Sequence, residues 1–303
     1  MIPEEMRKCV VFIGMHVKDG HQSVLKFGGT GFLVSAPAES DPSIDITYLV
    51  TAKHVANAVN GQMFFMRLNT KDGMSSLFAG LPDLTWWFHP SDPTADVAVI
   101  PMDTPPVDLD YRVIPTRRFV TTAKIQNQEV GLGDDVLCSG LFAHLAGTAR
   151  NIPIVRTGII SMMPEEKIST RYRADGPVVE MDGYLVESRS IGGLSGSPAF
   201  VRRTMNTATT SAGTWGVMGD EWLLLGVVHG YWNLSTQETR MALGPLRAEF
   251  GTMNMGITIV VPAAKIIETL ERKDAVADRA KRIAAIQEAA QKRDLRPSGI
   301  GRR

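Results

Sequence analysis

Gly193-Leu194-Ser195-Gly196-Ser197-Pro198, preceded by Ile191-Gly192 and followed by Ala199-Phe200-Val201, is the stretch on which the reading of this 303-residue chain turns. A serine framed by glycines leads through a proline into an apolar run that reads as a buried strand. Glycine on both sides lets the backbone turn tightly and lets a substrate carbonyl come close to the hydroxyl. The amides of Gly193 and Ser195 can then converge on one point and hold a developing oxyanion. Small-residue turns before strands are common, so a plain glycine-rich turn explains the hexapeptide equally well. What separates the two readings is whether the rest of the chain supplies a base for the serine and an acid to orient that base.

Composition narrows the classes. The chain is too long for one small module and too short for three ordinary domains. Its 44% hydrophobic and 21% charged residues are those of a soluble globular protein with a sizeable core. A formal net charge of zero gives no sign of nucleic acid or an anionic membrane as partner. The two cysteines, Cys9 and Cys138, each lie within a predicted strand, where buried free thiols are the commoner outcome. The opening Met-Ile-Pro-Glu-Glu is acidic where a secretory leader would be basic, and no apolar run approaches the ~18 residues that span a bilayer. A cytoplasmic location is the expectation that follows.

Strand signals dominate. Residues 8–17, 28–35, 46–52, 63–68 and 95–100 are rich in β-branched and aromatic types, and 71–94 is loop-rich. Prolines at 101, 105, 106 and 115 mark a linker over 101–117. The β pattern resumes at 135–140, 154–161, 178–187, 222–231 and 257–261, with a polar surface excursion at 203–220. From Pro262 the composition changes to Ala, Ile, Glu, Lys and Arg, which predicts a C-terminal helix over 263–293 and a flexible tail over 294–303. The expected units are therefore 1–115, 116–262 and this helix, whose later turns are a candidate partner-binding surface. Many short strands with little helix argue for barrels or a sandwich.

The first half supplies what Ser195 lacks. His54 follows a strand end in Thr51-Ala52-Lys53-His54, and Asp96 opens the run Ala95-Asp96-Val97-Ala98-Val99-Ile100. Alone, His54 reads as a hydrogen-bonded, half-buried side chain and Asp96 as an exposed strand-end carboxylate. Taken together in the order His, Asp, Ser, they put a nucleophile, its base and an orienting acid on two halves of one chain, with a site in the crevice between them.

The motifs around His54, Asp96 and Ser195 resemble the three signatures of the chymotrypsin-fold serine peptidases. The strand Gly29-Thr30-Gly31-Phe32-Leu33-Val34 and the ending Gly256-Ile257-Thr258-Ile259-Val260-Val261-Pro262-Ala263 resemble those of bacterial members. The resemblance covers roughly residues 8–270. It implies two six-stranded antiparallel β-barrels followed by the C-terminal helix, with His54, Asp96 and Ser195 as catalytic residues. It also implies an oxyanion hole from the amides of Gly193 and Ser195, a protein or peptide substrate, and neither cofactor nor metal.

Two departures sharpen the expectation. Secreted digestive members carry an Asp directly before the serine that pairs with a new N-terminus; here that residue is Leu194, so activation by N-terminal insertion is not expected. Six residues before the nucleophile, where trypsin has an Asp, stands Arg189, which disfavours Lys or Arg at the cleaved position. The run Gly192 to Pro198 is similar to that of glutamyl endopeptidases, whose pocket histidine follows Gly-Ile. Here Gly226-Val227-Val228-His229-Gly230 places His229 one position later, and one residue on a strand reverses the face. The expected pocket is Arg189, Ser190, His229 and Gly230, with His229 brought into it only by a bulge. A catalytically silent scaffold that binds a partner, and a small-ester hydrolase, are the alternatives. The glycine clusters at 28–31 and 131–133 lack a phosphate-loop lysine and a following helix, and metal-ligand spacing is absent.

Overall fold

A computed structural model describes residues 2–38, 44–102, 108–172, 176–188, 193–203, 206–210, 213–217, 221–234 and 253–294. The N-terminal strands are β1 (Val10–Asp19), β2 (Gln22–Pro37), β3 (Asp45–Thr51), β4 (Phe64–Asn69), β5 (Ser75–Gly80), β6 (Trp87–Phe88), β7 (Ala98–Pro101) and β8 (Ile114–Pro115). They form one eight-stranded sheet in the order β5-β4-β1-β2-β3-β7-β6, with β8 paired to β2. The following strands are β9 (Asp135–Gly140), β10 (Ile154–Met162), β11 (Ile168–Arg171), β12 (Val178–Met181), β13 (Tyr184–Glu187), β14 (Pro198–Arg203), β15 (Asn206–Thr210), β16 (Gly213–Val217), β17 (Glu221–Leu234) and β18 (Met253–Pro262). Six of these close into a barrel, β10-β13-β18-β17-β14-β9, while β11-β12 and β15-β16 form separate hairpins.

The chain is thus mainly β, with one closed six-stranded barrel. The expected second barrel is present among the described residues as an open sheet. Closure would need β5 to pair with β6, and β6 is only two residues long, too short to carry a ladder along the six residues of β5. Two further differences lie at element ends. Asp96 precedes its strand instead of opening it, because β7 begins at Ala98. The predicted single C-terminal helix is two, Ala263–Leu270 and Lys273–Asp294. Arg272 stands at the break, where its guanidinium donates to Phe88 O (2.9 Å) and ties the turn to the N-terminal sheet.

Burial explains why Leu223-Leu224-Leu225-Gly226-Val227-Val228 is an unbroken apolar run. Leu223, Leu225 and Val228 point into the barrel core with Val136, Val186, Leu194 and Val260. Leu224 and Val227 face the other core, shared with Phe12, Phe32, Leu33, Leu49 and the helix residue Ile266. Strands β17 and β18 are buried on both faces, so alternation with polar residues is lost. The Ala263–Leu270 helix packs on β7, β17 and β18, and the longer helix packs on β3, burying Ala275, Arg279 and Ile283. Cys9 and Cys138 are buried free thiols; burial pushes Cys138 up to about 12 and Cys9 higher still. Among the described residues no helix is long and apolar enough to cross a membrane.

Candidate active site

Strand β3 ends at Thr51, and the short helix Lys53–Val59 begins at once, carrying His54 in its first turn. A helix start leaves backbone N–H groups without partners. Ala52, at the cap position, has no side chain to serve them. Asp96 serves instead: its Oδ1 accepts the His54 backbone N–H (2.9 Å), and its Oδ2 accepts from His54 Nδ1 (2.8 Å). One carboxylate therefore both caps the helix and orients the imidazole it presents. Because a carboxylate only accepts, the proton of His54 lies on Nδ1 and its Nε2 is the basic atom. His54 is one-fifth exposed, whereas Asp96 is fully buried.

The loop that delivers Asp96 is tied down from several elements. Asp92 Oδ1 accepts from Thr94 N (2.9 Å) and Thr94 Oγ1 (2.6 Å), and its Oδ2 takes Lys265 Nζ (3.1 Å) from the C-terminal helix. Lys53 Nζ donates to Pro93 O (2.7 Å), and Tyr172 Oη donates to Thr94 O (2.7 Å). Burial alone would raise both Asp92 and Asp96. Thr94 and Lys265 hold Asp92 well below the usual carboxylate range, and the His54 and His229 rings do the same for Asp96. Burial pulls His54 down, but the charge and hydrogen bond of Asp96 outweigh it and leave His54 above its ordinary value.

The serine turn is shaped by its backbone. Gly193 (φ +100°) and Gly196 (φ +84°) both occupy the left-handed region. A Cβ on Gly196 would stand 2.0 Å from Thr30 O, and one on Gly193 would stand 2.9 Å from Leu141 O. Thr30, in the glycine-framed stretch of β2, stitches this turn to the other half. Its Oγ1 donates to Gly193 O (2.7 Å) and accepts Leu141 N–H (3.0 Å), while its N–H donates to Ser195 O (3.0 Å). Leu194 O accepts Ser197 N–H (2.9 Å), so across the trans peptide the Ser195 N–H points the opposite way, out of the turn. Leu194 itself is buried at 1% exposure in the barrel core.

Ser195 Oγ donates to the His229 carbonyl (3.0 Å) rather than to His54 Nε2. A β-bulge does fall at His229, where the β17–β18 register shifts between Val228 and Gly230. The bulge turns the His229 ring onto Asp96, with Nδ1 2.5 Å from Oδ2, at 4% exposure. At Gly230 an added Cβ would meet nothing within 4 Å. The expected pocket residues Arg189 and Ser190 lie outside the described residues. The structure thus gathers His54, Asp96, Ser195 and His229. Sequence reasoning did not single out Thr30 or Tyr172, or the carboxylate contact of His229; a polar residue inside Gly28-Gly29-Thr30-Gly31 was the one visible signal.

The ligand atoms of His54, Asp96 and His229 all lie within 4.8 Å of one another, close enough to share a metal ion. Both Nδ1 atoms, however, approach the same carboxylate oxygen at 2.8 and 2.5 Å. Those are hydrogen-bond distances, and the arrangement fits protons in the gap.

The fold is similar to that of the Rv3671c protease from M. tuberculosis in its active form, at 17% identity over 88% of this chain and 81% of that one, with a TM-score of 0.43. It is also similar to the serine endoprotease from Yersinia pestis, at 19% identity over 89% of this chain and 65% of that one, TM-score 0.43. A third similar structure is Deg5, at 14% identity over 71% and 85% of the two chains, TM-score 0.39. No family model matches the sequence, and no curated protein matches it.

Proposed function

We propose that this chain is a serine endopeptidase using Ser195, His54 and Asp96. The observation that carries the reading is the doubly bonded Asp96–His54 pair, which leaves a basic Nε2 on a one-fifth-exposed imidazole, its ring centre 5.5 Å from that of His229, whose carbonyl receives the Ser195 hydroxyl. In the reaction, the Ser195 hydroxyl turns from the His229 carbonyl to His54 and attacks the scissile carbonyl carbon as its proton passes to Nε2. The oxyanion is held by the amides of Gly193 and Ser195. His54 then gives its proton to the leaving amine, and water repeats the sequence on the acyl-enzyme. Asp96 stays ionised throughout and stabilises the imidazolium. Leu194, packed in the barrel core, fixes the turn without an ion pair, which supports a site that needs no inserted N-terminus.

One observation favours the second reading, a silent site on a partner-binding scaffold: the resting Ser195 hydroxyl is bonded away from His54. Catalytic hydrogen bonds often tighten only when substrate binds. Hydrolysis of a peptide set with Glu, Ala, Leu or Arg before the scissile bond, and of a small ester, separates these readings. The wild type is expected to cleave peptides, most readily after Glu, and Ser195→Ala to lose that cleavage. Equal turnover by both proteins rejects the nucleophile, ester-only turnover rejects the peptidase, and strong cleavage after Arg rejects the charge argument at Arg189.

A further inference from the structure

The proposed mechanism uses only the backbone carbonyl of His229, yet its ring is buried at 4% exposure against the fully buried Asp96. Nδ1 lies 2.5 Å from Asp96 Oδ2, and Nε2 lies 3.1 Å from the Arg171 carbonyl at the end of β11. Both oxygens can only accept. A neutral imidazole has one N–H and serves one of them, which would leave a ring lone pair facing an oxygen at hydrogen-bond distance on a side chain that is 4% exposed. We infer that His229 carries a proton on each ring nitrogen and is a positioning residue that shares Asp96 with His54. Its role in turnover rests on the peptidase reading; its protonation does not.

Three donors then engage both oxygens of Asp96. Oδ1 takes the His54 N–H, and Oδ2 takes the Nδ1–H of both histidines. The carboxylate has no freedom to rotate, so the tautomer of His54 is held by geometry as well as by charge. The far side of the His229 ring is closed by Tyr172, whose ring meets it edge-on at 5.8 Å and whose hydroxyl holds Thr94 O in the Asp96 loop. The β11 end and the Asp96 loop are therefore clamped about one imidazole. The carbonyl of the same residue receives the Ser195 hydroxyl, so His229 touches both the acid and the nucleophile.

The charge on His229 has a definite sign of effect. In the resting site Asp96 is balanced by His229, and His54 is neutral. When the Ser195 proton moves to His54 Nε2, the three side chains go from net zero to one positive charge. With a neutral residue at 229 they would go from one negative charge to zero, which favours the proton on His54. His229 thus moderates the basicity that Asp96 confers. Among the described residues, the titratable side chains touching its ring are Asp96, His54 and Tyr172, and burial pushes Tyr172 up to about 12, so it stays neutral. Strand β18 alongside contributes Ile259 and Val260, which do not titrate.

The experiment has two arms on the full chain. His229→Gln keeps a donor for Asp96 and removes the charge, which lies 5.5 Å from the His54 ring centre. The acid limb of kcat/KM is expected to move up by about one pH unit. A purely structural role would lower the rate and leave the limb where it was, and an unmoved limb in a folded variant overturns the proposal. In the second arm, nitrogen-15 NMR of wild-type protein is expected to show both His229 ring nitrogens protonated at pH 7. One bare nitrogen overturns the proposal whether or not the variant folds. If wild-type protein hydrolyses nothing, the peptidase reading fails, and the spectrum still decides the state of His229.

Discussion

Asp96 and Leu194 are both fully buried, and each fixes one half of the site by a different kind of physics. Around Asp96 the ordering force is electrostatic. A carboxylate that burial would neutralise is kept ionised by two imidazoles and a helix N–H, and the loop behind it is held by Lys53, Lys265 and Tyr172. Around Leu194 the order is steric. Two positive-φ glycines, an apolar anchor and the hydroxyl of Thr30 leave the turn one shape. The base side should therefore answer to charge and pH, and the serine side to volume and backbone freedom.

The largest effect expected from breaking this contrast is on the charged side. Asp96→Asn keeps the shape but can offer an N–H where His54 needs an acceptor, so the tautomer is lost. Peptidase kcat/KM should fall about 10⁴-fold while the thermal melt stays cooperative. On the steric side, Gly196→Ala places a methyl 2.0 Å from Thr30 O at φ +84°, and chemical denaturation should register a loss of about 3 kcal/mol or more. Leu194→Ala removes an anchor from the barrel core and should cost about 3 kcal/mol by the same measurement. Thr30→Val leaves Gly193 O and Leu141 N–H without their partner and should cost about 1–3 kcal/mol.

The same contrast predicts how stability follows pH. Asp96 sits below its ordinary value when folded, so its contribution is present above the unfolded carboxylate pKa of about 3.9 and is lost as pH falls below that. His54 sits above its ordinary value, so its contribution is complete below about 6.5 and is lost as pH rises through the folded value. Urea midpoints measured from pH 3 to 9 should show both losses in wild type. In Asp96→Asn the acid loss should shrink and the alkaline loss should disappear, whereas Leu194→Ala should lower the whole curve without changing its shape.

The residues proposed as base, acid and nucleophile could be picked out in the sequence because that chemistry restricts their types: a glycine-framed serine, a histidine at a strand end and a carboxylate on an apolar run. The contact of His229 with Asp96 could not be, because it depends on a bulge, and whether a strand carries one extra residue at Val228–Gly230 is decided by its partner β18. Asp96 as the cap of the His54 helix was hidden for a similar reason, since the two residues meet across 42 positions of sequence. The strand content was readable from β-branched runs. The open edge of the N-terminal sheet was not, since it turns on how few residues pair at Trp87–Phe88. The break before Lys273 is set by Arg272 reaching Phe88 O on another element, a contact no local pattern records.

The central claim is that Ser195 is a nucleophile activated by His54. A fluorophosphonate probe followed by peptide mapping tests it without knowledge of the substrate. The account predicts one adduct on Ser195 in folded wild-type protein, none in Ser195→Ala and strongly slowed labelling in Asp96→Asn. Folded wild-type protein with Ser195 unmodified, or labelling at Ser195 at the same rate in Asp96→Asn, would contradict it.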